Sequence, residues 1–209
     1  MIQESEKREY RLIIWAYISY ILFSIMINTI NTNKNKIEYT TIPPQYLETV
    51  DIFLKYAEIN TSESDYKTIL RRYNSLDSII YRKAEYMPYS NGKPVLGYVE
   101  YKLIDGEVLP SVICFSDKLD FEYYGMVSIV FHELGHALLL LDDVGKNGEV
   151  YNDQIMWYSG IASYYKYSIN GFLNEQVKIM FKQGESKELI ESITNDIKVN
   201  GYSIDMMEQ

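Results

Sequence analysis

Cysteine and histidine are almost absent: the chain of 209 residues holds one Cys, Cys114, and two His. A lone cysteine excludes an intramolecular disulfide framework and any zinc cluster built from thiolates. Cys114 itself reads as a small buried residue of a strand. Positive charge is also in short supply, with 20 Lys and Arg against 29 acids and a formal net charge of −9. That is the wrong sign for neutralising phosphates, so nucleic acid is not an expected partner. No internal repeat or low-complexity tract is present. With 47% apolar residues, the chain can bury one full core but not those of two large domains.

What the chain does have begins with an uncharged run, Leu12 to Ile30. Its length matches the ~20 residues that a helix needs to cross the hydrocarbon core. Lys7, Arg8 and Arg11 precede it, and no small-x-small cleavage site follows near Thr29 to Asn33. The run therefore reads as a transmembrane signal anchor over 12–30, with residues 1–11 a cytoplasmic tail and the bulk of the chain outside. Secretion after signal-peptide cleavage is the alternative. Residues 31–43 form a polar spacer, and 44–209 one folded unit.

Within that unit, Tyr46, Leu47, Val50, Phe53, Leu54 and Ala57 recur at helical spacing behind Pro43 and Pro44, which predicts a helix to Glu58. A second short helix is expected over 61–74 and a strand from Ser75 to Arg82. Val95 to Ile104 and Glu107 to Phe115 read as a hairpin about Asp105-Gly106. Phe121 to Leu141 is a long apolar helix, Asp142 to Asp153 a loop, and Leu173 to Lys182 and Lys187 to Val199 are closing helices.

Both histidines fall in one pentapeptide of the apolar helix, His132-Glu133-Leu134-Gly135-His136. On a helix, imidazoles at i and i+4 point to one side, about 6 Å apart along the axis, and can hold one Zn2+ ion. Imidazole binds zinc while neutral, and Glu133, beside the open coordination position, can take a proton from water held there and pass it to a leaving amine. A catalytic zinc needs a third protein ligand, and with no histidine left it must be a carboxylate. Asp142, Asp143, Glu149, Asp153 and Glu175 are the candidates. An ordinary solvated turn at Asp142-Asp143 is the plain alternative to a cation site there.

The segment HELGHALLLLD resembles the metzincin zinc signature H-E-x-x-H-x-x-G-x-x-H, whose last place is Asp in some members, and Asp142 stands at that place. Downstream, Asp153-Gln154-Ile155-Met156-Trp157-Tyr158 resembles the matrixin Met-turn segment. The likeness is to matrixin-like bacterial zinc peptidases, over roughly residues 40–185. It implies a zincin-like α+β fold: a small mixed sheet packed on the zinc helix, a helical C-terminal part, and substrate lying as an extra strand. It further implies His132, His136 and Asp142 as metal ligands, Glu133 as general base, and Met156 beneath the metal. Tyr158 is the candidate oxyanion stabiliser.

One departure is Leu139, which stands where the signature has its turning glycine. In a continued helix Asp142 would lie about 240° round from His136, and Asp143 on the right face but about 10 Å along. Asp142 as ligand requires a bend near Leu139, which metal binding itself can drive. The expected function is a membrane-anchored, extracytoplasmic zinc metalloendopeptidase acting on a peptide or protein substrate. The alternatives are a non-catalytic, metal-stabilised binding domain of zincin fold, or a gluzincin peptidase in which Glu175 is the third ligand.

Overall fold

Pro44 occupies the first turn of helix α1 (Pro44–Asn60), where its missing N–H costs no hydrogen bond. The computed structural model describes residues 39–90, 92–118, 123–144, 155–156 and 169–206. Along α1 the buried positions are Tyr46, Thr49, Val50, Phe53 and Ala57, one stripe at helical spacing, while Leu47 faces water. Helix α2 (Glu63–Ser75) starts at Ser62, whose hydroxyl accepts the Asp65 N–H at 3.2 Å.

Strands β1 (Tyr39–Thr40), β2 (Ser78–Arg82), β5 (Gly97–Ile104), β6 (Glu107–Ser116) and β7 (Ser203–Met206) form a five-stranded sheet in the order β1-β2-β6-β5-β7. Two-residue strands β3 (Tyr89–Ser90) and β4 (Lys93–Pro94) pair separately. β2 runs parallel to β6, and the other pairings in the sheet are antiparallel. The β5–β6 hairpin turns at Asp105 (φ 53°) and Gly106 (φ 84°), the double positive φ of a type I′ turn. Its register shifts between Glu100, paired with Val112, and Tyr101, paired with Pro110, so that Ser111 is the extra residue and Pro110, which has no N–H to give, sits beside the irregularity.

Helix α3 (Tyr123–Leu139) packs on β5 and β6 on one side and on α1 and α2 on the other. Met126, Val127, Ile129, Val130, Phe131, Leu134, Ala137 and Leu138 are all buried, so α3 is the central helix and, among its described side chains, presents no exposed polar face. Phe53 meets Phe131 edge-on at 5.2 Å, and Tyr46 bridges Tyr81 and Phe115. Helix α4 (Ile169–Met180) and helix α5 (Lys187–Asn200) follow, and Gly201 (φ 80°) ends α5 and turns the chain back into β7.

The result is a mixed α/β unit. Two expectations change. Tyr39–Thr40, placed in the spacer, pairs with Tyr81 and Arg82 as an edge strand, and the compact unit runs from Tyr39 to Gln209. The C-terminal part is not wholly helical, because β7 returns to pair with β5. The run 12–30 lies outside the described residues; among those described, no helix is long and apolar enough to cross a membrane.

Candidate metal centre

His132 and His136 are neighbours on one face of α3, 0% and 1% exposed. Their Nε2 atoms approach to 2.8 Å. The helix stops at Leu139, and Leu140 takes the left-handed conformation at φ 51°. For leucine that costs about 1–2 kcal/mol. The Leu140 N–H still reaches His136 O (3.1 Å), and the Leu141 N–H folds back to Gly135 O (3.2 Å). This turn supplies what Leu139 in place of glycine had put in question.

Beyond it the carboxylate that stands at the histidines is not the expected one. Asp142 Oδ1 is turned back to accept the Asp143 N–H at 2.8 Å, and the carboxylate brought to the histidines is that of Asp143. Asp143 Oδ1 lies 3.2 Å from each Nε2. The bend comes one residue later than the signature's glycine, at Leu140 and not Leu139, which moves the carboxylate that reaches the histidines one residue along. Among the described residues Glu175 is exposed on α4 and does not join the group. Glu149, Asp153 and Tyr158 lie outside the described residues.

The protons decide the chemistry of this triangle. His132 Nδ1 is 2.8 Å from Ile155 O and His136 Nδ1 is 2.7 Å from Leu141 O. A carbonyl oxygen can only accept, so each Nδ1 carries a proton, and in the neutral ring each Nε2 presents a lone pair. Two lone pairs and a carboxylate oxygen therefore converge within 2.8 to 3.2 Å. Such an arrangement needs a cation among them, a proton or a metal ion. A tetrahedral zinc with bonds of about 2.05 Å has ligand–ligand edges of about 3.3 Å, so the donor set and the two 3.2 Å edges to Asp143 fit that ion, while the 2.8 Å edge between the imidazoles must open to admit it. Carbonyls at this position are the kind of outer partner that would orient imidazoles toward a metal. Burial alone would raise the Asp143 carboxyl, but positive charge on His136 and hydrogen bonds from the two imidazoles, the part a cation at this point plays, outweigh it and hold the carboxyl well below the usual carboxylate range.

Glu133 is fully buried, and its carboxylate occupies the space that a side chain at Gly97, the first residue of β5, would need. Met156 is 1% exposed and lies against Gly135, between the two histidines: a Cβ there would come within 2.5 Å of Met156 Sδ. Its carbonyl accepts the Val144 N–H at 2.8 Å, next to Ile155 O on His132. Cys114 is buried, as expected, and its Sγ rests 3.7 Å from Met87 Sδ.

Sequence reasoning did not single out Gly97, Leu140 or Arg72. Gly97 had a signal, an isolated glycine inside a strand pattern; the other two had none.

Comparison with protein-family models, with curated proteins and with solved structures gives no match.

Proposed function

We propose that this chain is a zinc-dependent endopeptidase of zincin-like fold, with His132, His136 and Asp143 as metal ligands and Glu133 as general base. The observation that carries the reading is the convergence of two Nε2 lone pairs and the Asp143 carboxylate while both Nδ1 protons are committed to carbonyls. Lewis acidity is what zinc brings when bound, polarising a carbonyl and making water nucleophilic at neutral pH.

The chain's own residues do the rest. Ile155 O and Leu141 O fix both imidazoles in the tautomer that binds metal. Glu133, one residue from the first ligand and not a member of the ligand group, accepts a proton from the attacking water and returns it to the departing amine nitrogen. A purely structural metal site has no use for such a base. Gly97 lets the start of β5 lie against the Glu133 carboxylate. Met156 beneath Gly135 supports the metzincin likeness, although the position of the bend and the third ligand depart from it. The uncharged run from Leu12 to Ile30 supports anchoring this unit on the outer side of a membrane.

Glu133→Ala tests the reading. The variant should keep its zinc and lose peptide hydrolysis. If it still cleaves, Glu133 is not the base; if wild-type chain with full zinc cleaves no peptide, the metal serves binding or stability and not catalysis.

A further inference from the structure

The turn that brings Asp143 to the histidines is held from outside the helix. Leu138 O, two residues before Leu140, accepts from Arg72 Nη1 of α2 at 3.0 Å. Arg72 is 4% exposed, and its Nη2 contacts Glu185 Oε1 at 2.6 Å. The next residue, Ser186, donates its backbone N–H to Leu140 O at 2.9 Å. Ser186 is itself fixed as the N-cap of α5, where its hydroxyl accepts the Leu189 N–H at 3.1 Å. The path from Leu138 O through Arg72, Glu185 and Ser186 to Leu140 O is thus a closed bracket across Leu139.

We infer that Arg72 and the Glu185–Ser186 segment are a positioning clamp that sets metal affinity by holding Leu140 in its left-handed conformation. The inference rests on the metal-centre reading above. Glycine adopts positive φ freely, whereas leucine does not, so a leucine there needs support from outside its own segment. A cation at the end of a helix is also well placed to hold its last carbonyls. What the clamp fixes lies just downstream. Leu141 O, one residue on, orients His136, and Asp143, three residues on, supplies the third ligand. If Leu140 relaxes toward negative φ, both groups leave their places together. Arg72 touches neither metal nor substrate, so its effect on the site passes entirely through Leu138 and Leu140.

The test is zinc affinity of the full-length chain by competition with a chromophoric chelator, beside thermal unfolding of the metal-free chain. Arg72→Met should weaken zinc by ~10–100-fold, the range of an outer partner that orients a ligand. Arg72→Lys, which keeps the charge but has no fork to join Leu138 and Glu185, should fall between. In a Leu140→Gly background, where the turn no longer needs support, Arg72→Met should cost less than about threefold. That dependence on residue 140 is what a general stabilising role for Arg72 would not produce. Should Arg72→Met fail to fold, Glu185→Gln, at a half-exposed side chain, decides: a loss of about threefold or more supports the clamp and none overturns it. Zinc affinity within twofold of wild type in Arg72→Met, with only the metal-free melting temperature lowered, overturns the clamp alone. A wild-type chain that binds no zinc overturns the metal-centre reading and the clamp with it.

Discussion

Gly135 sits at the centre of the zinc motif, and its replacement by alanine sets two effects against each other. In a helix interior, Gly→Ala gains about 1 kcal/mol from backbone entropy and propensity. Here the new Cβ would come within 2.5 Å of Met156 Sδ and 3.3 Å of its Cε, with Met180 Sδ at 3.5 Å. A carbon–sulfur contact wants about 3.5–4.0 Å, so Met156 must retreat by roughly 1 Å or more. It is 1% exposed, and Met180 closes part of the space around it. Overpacking of this kind costs about 1–3 kcal/mol. The net is a destabilisation of about 0–2 kcal/mol, or a melting temperature lower by up to ~8 °C for a domain of this size. Stability is the lesser part of the effect. Ile155 O, one residue before Met156, orients His132, so displacement of the dipeptide should also weaken zinc by ~10–100-fold. Calorimetry and chelator competition on Gly135→Ala measure the two effects separately. A variant about 1 kcal/mol more stable than wild type with unchanged zinc affinity would refute the packing of Met156 against the zinc helix.

Gly97→Ala should leave zinc bound and lower kcat by ~100-fold or more, because the new Cβ lies 2.7 Å from Glu133 Cγ and Cδ and must move the base; steady-state kinetics at full zinc occupancy checks this, and unchanged kcat would contradict it. Burial pushes the Cys114 thiol up to about 12, with the Tyr98 hydrogen bond and the Arg82 charge opposing more weakly. The folded value lies above that of an exposed thiol, about 8.5, so the stabilising contribution of the neutral thiol is full below that pH and lost as pH rises towards 12. Iodoacetamide at pH 8.5 should therefore label Cys114 only through unfolding, and rapid labelling of native chain would count against its burial. The full-length chain should fractionate with membranes and resist salt extraction; recovery of a soluble form starting near residue 30 would favour the cleaved signal peptide.

Local features were legible in the sequence. The i, i+4 histidines need only a helix, and the apolar length of Phe121 to Leu141 supplied it. Asp105-Gly106 specified its own turn, since both residues tolerate positive φ. Which carboxylate would join the histidines was not legible, because it depends on which residue the chain turns at. Nothing in Leu139-Leu140-Leu141 marks the middle leucine for φ 51°, and its outside support comes from Arg72 and Ser186, both remote in sequence. Strand β7 was missed for a related reason: Ser203–Met206 is four residues at a sheet edge, and its partner strand begins more than a hundred residues earlier. Met156 could be read as ordinary core until Gly135 provided the space it fills.

The most direct test of the metal centre is zinc affinity of Asp143→Ala measured beside Asp142→Ala in the full-length chain. Asp143 Oδ1 faces both Nε2 atoms, whereas Asp142 Oδ1 accepts the Asp143 N–H and is not in the group at the histidines. Asp142→Ala should retain one zinc per chain with a loss no greater than the 10–100-fold of an outer partner, and Asp143→Ala should lose clearly more than ~100-fold. Zinc that survives Asp143→Ala but is emptied by Asp142→Ala would contradict the assignment, and zinc unaffected by either would contradict the centre itself.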